Sequence, residues 1–368
     1  MRVALVIERF ENAAGGGEQV AWNVARELVR AGDDVHVLCR EGADAPGVRV
    51  HRLGAPRFWQ PVRVTTFAHR VGRELTREHY DVVHAFSKAY GPDVFHVGGG
   101  SHADFMEKTY GARGARWRRL SPRHRTLLSL ERKMFETPDL IGQCVSHQVR
   151  REIAARYGID ESRLPVIPCG VDTARFAPEN QGDARDEVRC EFGLGDETVW
   201  LFVGSGWRRK GLDIALDALA KCADSRALLW VAGKDDPASW RALAKRRGIE
   251  DRVRFLAERK DVERLYAACD GLLFPSRYDA FGLVCLEAAA AERAVVVSAD
   301  AGASELFEDC GRVIQRAGDP TEYARAMNDL SNPQTRSDLA SRARSMAAEH
   351  DWSGHVARLR DLYAEVQR

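Results

Sequence analysis

Val199-Trp200-Leu201-Phe202-Val203-Gly204-Ser205-Gly206-Trp207-Arg208-Arg209-Lys210-Gly211 is the stretch that decides the fold. Its first five residues are apolar and read as a buried strand. Glycines break the pattern, and a helical segment follows over Leu212–Cys222. A strand that runs through a glycine turn into a helix is the building unit of a parallel α/β sheet. The same alternation extends through the second half of the chain. Strands are expected at Leu228–Ala232, Val253–Leu256, Gly271–Phe274 and Ala294–Ser298. Helices are expected at Pro237–Arg247, Val262–Ala268 and Leu283–Ala291. In the first half, Val3–Ile7, Val35–Leu38, Val82–Ala85 and Leu140–Val145 read as strands, with helices at Gln19–Arg30 and Val64–Arg77.

The pattern is interrupted at Leu164-Pro165-Val166-Ile167-Pro168-Cys169-Gly170-Val171-Asp172, where prolines and a glycine suggest a linker. A chain of 368 residues is long for one core, so two domains are expected. The fold class is α/β, with two doubly wound Rossmann-like domains facing each other across a cleft. The expected boundaries are 1–168, 169–350 and a closing helix over 351–368 that packs back on the first domain. Ligands of such sheets bind beyond the carboxyl ends of the strands. A cleft between two such faces holds one substrate on each side.

Composition narrows the chemistry. The net charge of +1 argues against a globally basic nucleic-acid binder. The N-terminus has no signal-peptide pattern, and no apolar run is long enough to cross a bilayer. The eight cysteines include no C-x-x-C pair and sit mostly in apolar patterns, as expected of core thiols in a reducing cytoplasm. No Cys/His spacing suits zinc.

Arg209 and Lys210 stand where the strand ends and the helix begins. Arginine can grip phosphate oxygens in bidentate fashion, lysine adds a point charge, and a helix N-terminus favours anions. Arg208 also reads as part of a solvated basic turn. A second stretch, Asp279-Ala280-Phe281-Gly282-Leu283-Val284-Cys285-Leu286-Glu287, places one carboxylate before a Phe-Gly turn and another about one turn into the next helix. Alone, Asp279 could be a turn or capping residue, and Glu287 an acid favoured by the helix dipole. Together with Arg209 and Lys210 they suit a molecule that carries both a pyrophosphate and many hydroxyls, which is a nucleotide sugar. The chemistry expected is glycosyl transfer. No Asp-x-Asp occurs in the chain, so neither a metal-bridged diphosphate nor a metal site is expected.

Near the N-terminus, Asn12-Ala13-Ala14-Gly15-Gly16-Gly17-Glu18-Gln19 follows the first strand and opens a helix. Its glycines let backbone N–H groups approach a donor phosphate, although a plain turn reads equally well. It is neither a G-x-G-x-x-G fingerprint nor a P-loop. Gly98-Gly99-Gly100-Ser101-His102 lies after the apolar segment Val94–Val97, where His102 could face the cleft or serve the fold. From Arg113 to Lys133 there are eight basic residues and one acid, Glu131, with Trp117, Leu120, Leu127, Leu128 and Leu130 interspersed. Such a segment suits an anionic membrane surface, and the competing reading is a solvated helical face. Nucleic acid is disfavoured because stacking aromatics are few.

These residues resemble glycosyltransferase family 4, whose members have the GT-B fold. The resemblance runs over nearly the whole chain. It rests on Gly15-Gly16-Gly17, Val166 to Asp172, Arg209-Lys210-Gly211, Pro275 to Ala288 and Gly302-Ala303-Ser304-Glu305. Within the family the chain is most similar to the lipopolysaccharide core glucosyltransferase I group. The resemblance implies a retaining hexosyltransferase using a nucleoside diphosphate sugar, with UDP-glucose or UDP-N-acetylglucosamine foremost. It implies a saccharide or glycolipid acceptor of the cell envelope and no cofactor. It assigns the pyrophosphate to Arg209 and Lys210, with Gly16 and Gly17 opposite, and ribose to Glu287. Asp279 and the backbone of Phe281, Gly282, Leu283 and Val284 are assigned to the sugar and diphosphate. Glu258 and Arg259 are assigned to the base, Arg175 to the phosphates, and Ser205 to the donor loop. His102 is placed with the catalytic group, beside sugar or acceptor.

Three positions depart from the family pattern. Asp279 stands where many members have Glu, Ser205 where many have Arg, and Cys169 where Asn is usual. The expected location is cytoplasmic, with peripheral contact at the inner face of the cytoplasmic membrane. Two other readings share the donor clamp: a GT-B nucleotide-sugar epimerase, and a non-catalytic nucleotide-sugar-binding protein.

Overall fold

A computed structural model describes residues 1–12, 15–56 and 58–366, so Ala13 and Ala14 of the glycine loop lie outside the described residues. The chain divides into two compact units, Met1–Gly170 with Trp352–Arg368, and Val171–Asp351.

The first unit alternates strands and helices: β1 (Arg2–Phe10), α1 (Gly16–Arg30), β2 (Asp34–Gly42), β3 (Val48–Arg52), α2 (Gln60–Leu75), β4 (Val82–Ala85) and β5 (Val94–Val97). α3 (His102–Arg118), α4 (Pro122–Phe135), β6 (Ile141–Cys144) and α5 (His147–Tyr157) complete it. All six strands are parallel, in the order β3-β2-β1-β4-β5-β6. The sheet is therefore doubly wound, with its switch point between β1 and β4. β1 is buried from Val3 to Ile7 because both faces are covered by helices, so it reads as a continuous apolar run. β3 was not expected. Its sequence Val-Arg-Val-His-Arg alternates, and as an edge strand it is only half-buried.

The second unit holds α6 (Thr173–Phe176), α7 (Ala184–Glu191), β7 (Val199–Val203), α8 (Leu212–Lys221), β8 (Leu228–Ala232), α9 (Ala238–Arg246) and β9 (Val253–Phe255). α10 (Val262–Ala268), β10 (Gly271–Phe274), α11 (Leu283–Ala290), β11 (Ala294–Ser298), β12 (Arg312–Ile314), α12 (Pro320–Asp329) and α13 (Pro333–Ala348) follow. The order β12-β11-β10-β7-β8-β9 is again all parallel, and its switch point lies between β7 and β10. Trp200, Phe202, Leu216, Leu219, Val296 and Met327 belong to one core cluster, each at most 1% exposed. Each such side chain contributes about 1.5–3 kcal/mol relative to exposure. β12, three residues at the other sheet edge, was not expected.

The last helix, α14 (Trp352–Val366), belongs to the first unit. Tyr363 shares a 2.6 Å hydrogen bond with His84 Nδ1, and His355 Nδ1 donates to the Pro168 carbonyl at 2.7 Å. Among the described residues no helix is long and apolar enough to cross a membrane.

Candidate anion and hydroxyl site of the second unit

The loops after β7 and β10 meet because those strands are neighbours at the switch point. The first loop turns through Gly204, Gly206 and Gly211, all at positive φ. A Cβ on Gly211 would stand 2.0 Å from the Pro275 carbonyl oxygen, so only glycine permits this approach of the two loops. The loop is clasped by Asp235, which accepts from the Gly206 and Trp207 N–H groups at 2.8 and 3.1 Å. Trp207 is buried and donates from Nε1 to the Gly204 carbonyl at 2.8 Å. The backbone N–H of Arg277 donates to the Arg209 carbonyl at 2.9 Å, joining the loops again.

Arg209 and Lys210 converge on one oxygen. Arg209 Nη1 and Lys210 Nζ each lie 3.1 Å from Asp279 Oδ2. Arg209 also donates to the Tyr278 carbonyl at 2.6 Å, which fixes the plane of its guanidinium. Lys210 is 8% exposed, and its ammonium lies 4.6 Å from the centre of the Phe274 ring. Burial works against ionisation of Asp279, but Lys210 and Arg209 outweigh it and hold the carboxyl at about 2. The group is ionised at neutral pH, and both cations are partnered by it.

Asp279 is itself held by the backbone. Its N–H donates to the Asp300 carbonyl and its carbonyl accepts from Gly302. Gly282, at φ 101, begins α11, and no side chain caps that helix end. The backbone of Leu283 and Val284 at this N-terminus offers an anion site beside the cations. Four residues into α11, Glu287 is buried and accepts a 3.0 Å hydrogen bond from Tyr266, whose hydroxyl also reaches the Val284 carbonyl. Phe281 is buried, and its backbone N–H donates to Asp279 Oδ1 at 3.4 Å.

The other candidate residues are placed as follows. Ser205 is exposed in the same loop and its hydroxyl accepts from the Lys234 N–H at 3.2 Å. Glu258 pairs with Lys234 at 2.8 Å, and Arg259 with Asp261 at 2.8 Å. Arg175 pairs with Glu263 of α10 at 2.7 Å and lies over Phe176. Gly16 and Gly17 open α1 of the first unit, where no side chain caps the helix. His102 begins α3. Its N–H donates to buried Glu131, and its Nε2 lies 2.9 Å from His124 Nδ1. Burial, with Lys88 nearby, lowers its pKa to about 4, so it is neutral at pH 7.

Asp235 and Tyr266 were not singled out from the sequence. Asp235 lies three residues after the end of β8, the neighbour of β7, and that adjacency was its one signal. Tyr266 is 21 residues from Glu287 and carries none. Among the described residues no group of three or more His, Cys, Asp or Glu side chains is arranged to hold a metal.

Comparison with known proteins follows the same division of the chain. Residues 14–175 match the family model for Glycosyltransferase Family 4, and residues 197–333 match that for glycosyl transferases group 1. Lipopolysaccharide glucosyltransferase WaaG of Escherichia coli K12 is 31% identical over 302 residues, spanning 80% of this chain and 77% of WaaG. A D-inositol 3-phosphate glycosyltransferase of Geodermatophilus obscurus is 31% identical over 390 residues, spanning 95% of this chain and 84% of the relative. The crystal structure of WaaG, a glycosyltransferase involved in lipopolysaccharide biosynthesis, is similar with a TM-score of 0.85 at 26% identity, covering 98% of this chain and 99% of WaaG. HepE of Anabaena in complex with UDP-glucose is similar with a TM-score of 0.77, covering 99% of each chain, and at 19% identity speaks to the fold alone.

Proposed function

This chain belongs to glycosyltransferase family 4 and has the GT-B fold, and from that premise we propose that it transfers a hexose from a nucleoside diphosphate sugar to a saccharide acceptor with retention of configuration. The observation that carries the donor assignment is the convergence of Arg209 and Lys210 on Asp279, beside the uncapped N-terminus of α11. Two cations and a row of backbone N–H groups suit a diphosphate. Asp279 and Glu287 suit the hydroxyls on either side of it, of sugar and ribose. UDP-glucose and UDP-N-acetylglucosamine are the leading donors.

In the reaction the acceptor oxygen forms a bond to the anomeric carbon while the bond from that carbon to the diphosphate oxygen breaks. Attack comes from the side the diphosphate leaves, so configuration is retained. The acceptor proton passes to the departing phosphate oxygen. Negative charge on that oxygen grows through the transition state, and Arg209 and Lys210 stabilise it there most. Asp279 orients the sugar through its hydroxyls. The cations do the neutralising that a metal ion does elsewhere, and the lack of Asp-x-Asp supports metal-independent transfer.

The acceptor is proposed to be a lipopolysaccharide core or another cell-envelope glycan, on the strength of WaaG. The turn between α3 and α4 supports peripheral membrane contact. Trp117 and Leu120 are 76% and 67% exposed there, among Arg116, Arg118, Arg119 and Arg123. Apolar side chains flanked by cations suit an anionic bilayer surface at the cytoplasmic face.

The test of the donor reading is thermal stabilisation by a panel of nucleotide sugars with EDTA present, followed by NMR of the anomeric configuration of the product. One nucleotide class should raise Tm in the wild type and not in Lys210→Ala. No rise with any of them would end the donor assignment, and an inverted product would end the front-face mechanism.

A further inference from the structure

The first unit contains a second concentration of charge. A cavity of about 690 Å³ opens at the carboxyl ends of β1 and β2, lined by Glu8, Arg9, Glu11, Arg40, Glu41 and Arg63, with Glu18 beside them. Acids and bases alternate around it. Glu11 pairs with Arg9 at 2.8 Å, Arg9 with Glu41 at 3.6 Å, and Glu41 with Arg40 at 2.5 Å. Arg40 lies 3.9 Å from Glu8, and Glu8 lies 3.4 Å from Arg63. Three arginines against four glutamates leave the lining at −1. Each arginine therefore already faces a carboxylate. Arg40 is only 9% exposed, so its place among these carboxylates is held by the fold, while the side chains of Arg9 and Glu11 at the rim are more than 40% exposed. The Nε groups of Arg40 and Arg63 have no hydrogen-bond partner among the described residues, although they lie 3.9 and 3.4 Å from Glu8.

A second feature lies outside the cavity lining, one turn of α2 from Arg63. Phe58 and Trp59 are 70% and 60% exposed at the start of α2, and the Arg63 N–H donates to the Trp59 carbonyl, one helical turn away. Trp59 has φ +40. A large side chain in that region of backbone space is strained, and strain of this kind concentrates at ligand sites. An exposed indole offers an apolar plate for the C–H face of a sugar ring.

We infer that this cavity is the acceptor subsite, and that it takes an uncharged ring with vicinal hydroxyls and rejects a phosphorylated one. The acceptor role rests on the glycosyl transfer proposed above. A hydroxyl both donates and accepts. Neighbouring hydroxyls on one ring can donate to a glutamate and accept from the adjacent arginine with every ion pair left intact. A phosphate only accepts. It would have to draw arginines away from their glutamates and leave those carboxylates facing its own charge, in a lining that is already negative. The two curated relatives differ on this point in name: one is a lipopolysaccharide glucosyltransferase, the other an inositol 3-phosphate glycosyltransferase. The charge pattern sets this chain apart from a phosphorylated acceptor.

The experiment is saturation-transfer NMR on the full chain in the presence of UDP, with methyl α-mannopyranoside and myo-inositol against mannose 6-phosphate and myo-inositol 1-phosphate. The neutral rings should bind about tenfold tighter than their phosphorylated counterparts. The double substitution Glu8→Gln with Glu41→Gln removes two negative charges and should reverse the preference. Trp59→Ala should weaken the neutral rings about tenfold. Equal or tighter binding of the phosphorylated rings by the wild type would overturn the inference. So would the absence of signal from either class, or an unchanged preference in a folded double variant. If the double variant does not fold, the wild-type comparison and Trp59→Ala decide. Tm shifts with nucleotide sugars report the donor reading separately, so a protein that binds donor but neither ring overturns the acceptor subsite alone.

Discussion

Asp279→Asn should have opposite effects on two ligands of the same site. In the free protein the Asp279 carboxylate lies 3.1 Å from both Arg209 and Lys210. The two cations lower its pKa from 3.8 to about 2, after the cost of burial. At 1.36 kcal/mol per unit, that shift is worth about 2 kcal/mol of stability at neutral pH. The sign is that of a depressed carboxylate: the contribution is complete above pH ~4 and is lost as pH falls toward ~2. A diphosphate that takes the cations from Asp279 must replace this interaction. Asparagine at 279 removes the competing charge, so UDP should bind the variant up to ~30-fold tighter, the equivalent of about 2 kcal/mol. Sugar transfer should instead fall about 100-fold, because the hydroxyl anchor is gone. The variant should also be less stable than the wild type by about 2 kcal/mol at pH 7.5. Isothermal titration with UDP, steady-state transfer rates and urea unfolding measure the three effects. Weaker UDP binding by Asp279→Asn would refute the picture of a carboxylate that holds the phosphate site in the free protein.

Three further outcomes are expected. Lys210→Ala should weaken UDP by about 1.5–3 kcal/mol, the value of a hydrogen bond to a charged group, against the gain expected for Asp279→Asn; calorimetry in low and high salt checks it. Gly211→Ala should destabilise by about 3 kcal/mol, since its Cβ meets the Pro275 carbonyl and its φ is positive; an unfolding midpoint like the wild type would contradict the close approach of the loops. Stability should fall between pH 6.5 and 5. Burial lowers the pKa of His96 to about 4 and that of His355 to about 3, so the unfolded chain takes protons that the folded chain refuses. At pH 5 each costs about 2 kcal/mol relative to pH 7.5, and His96→Gln should flatten the profile if the account holds.

Much of this protein is legible along the chain because parallel sheets are buried on both faces. Val199–Val203 and Leu228–Ala232 are apolar throughout, Ala294–Ser298 is apolar up to its last residue, and their observed limits are those expected. The edge strands β3 and β12 escaped the reading because one side of an edge faces solvent and admits arginine and histidine. The residue types of the candidate site were legible too, since Arg209, Lys210 and Asp279 stand in turns whose glycines mark the ends of strands, and Glu287 stands in the helix that one of those turns opens. Two links in the site were not legible. Asp235 reaches Gly206 across 29 residues and Tyr266 reaches Glu287 across 21, and both depend on which strands and helices lie side by side.

The sequence by itself determined the α/β class, the repeated strand-turn-helix unit and the identity of the charged groups, because these follow from local periodicity and turn chemistry. Only the tertiary structure decided their pairing. Strand order brings the β7 and β10 loops together, and with them two cations seventy and sixty-nine residues from the one oxygen they share. It also set Glu8, Arg40 and Arg63 around one cavity, from two strands and a helix that the chain visits separately. Electrostatic interactions act through space at a few ångströms, and those distances are fixed by how the sheet is wound, which spacing along the chain does not encode.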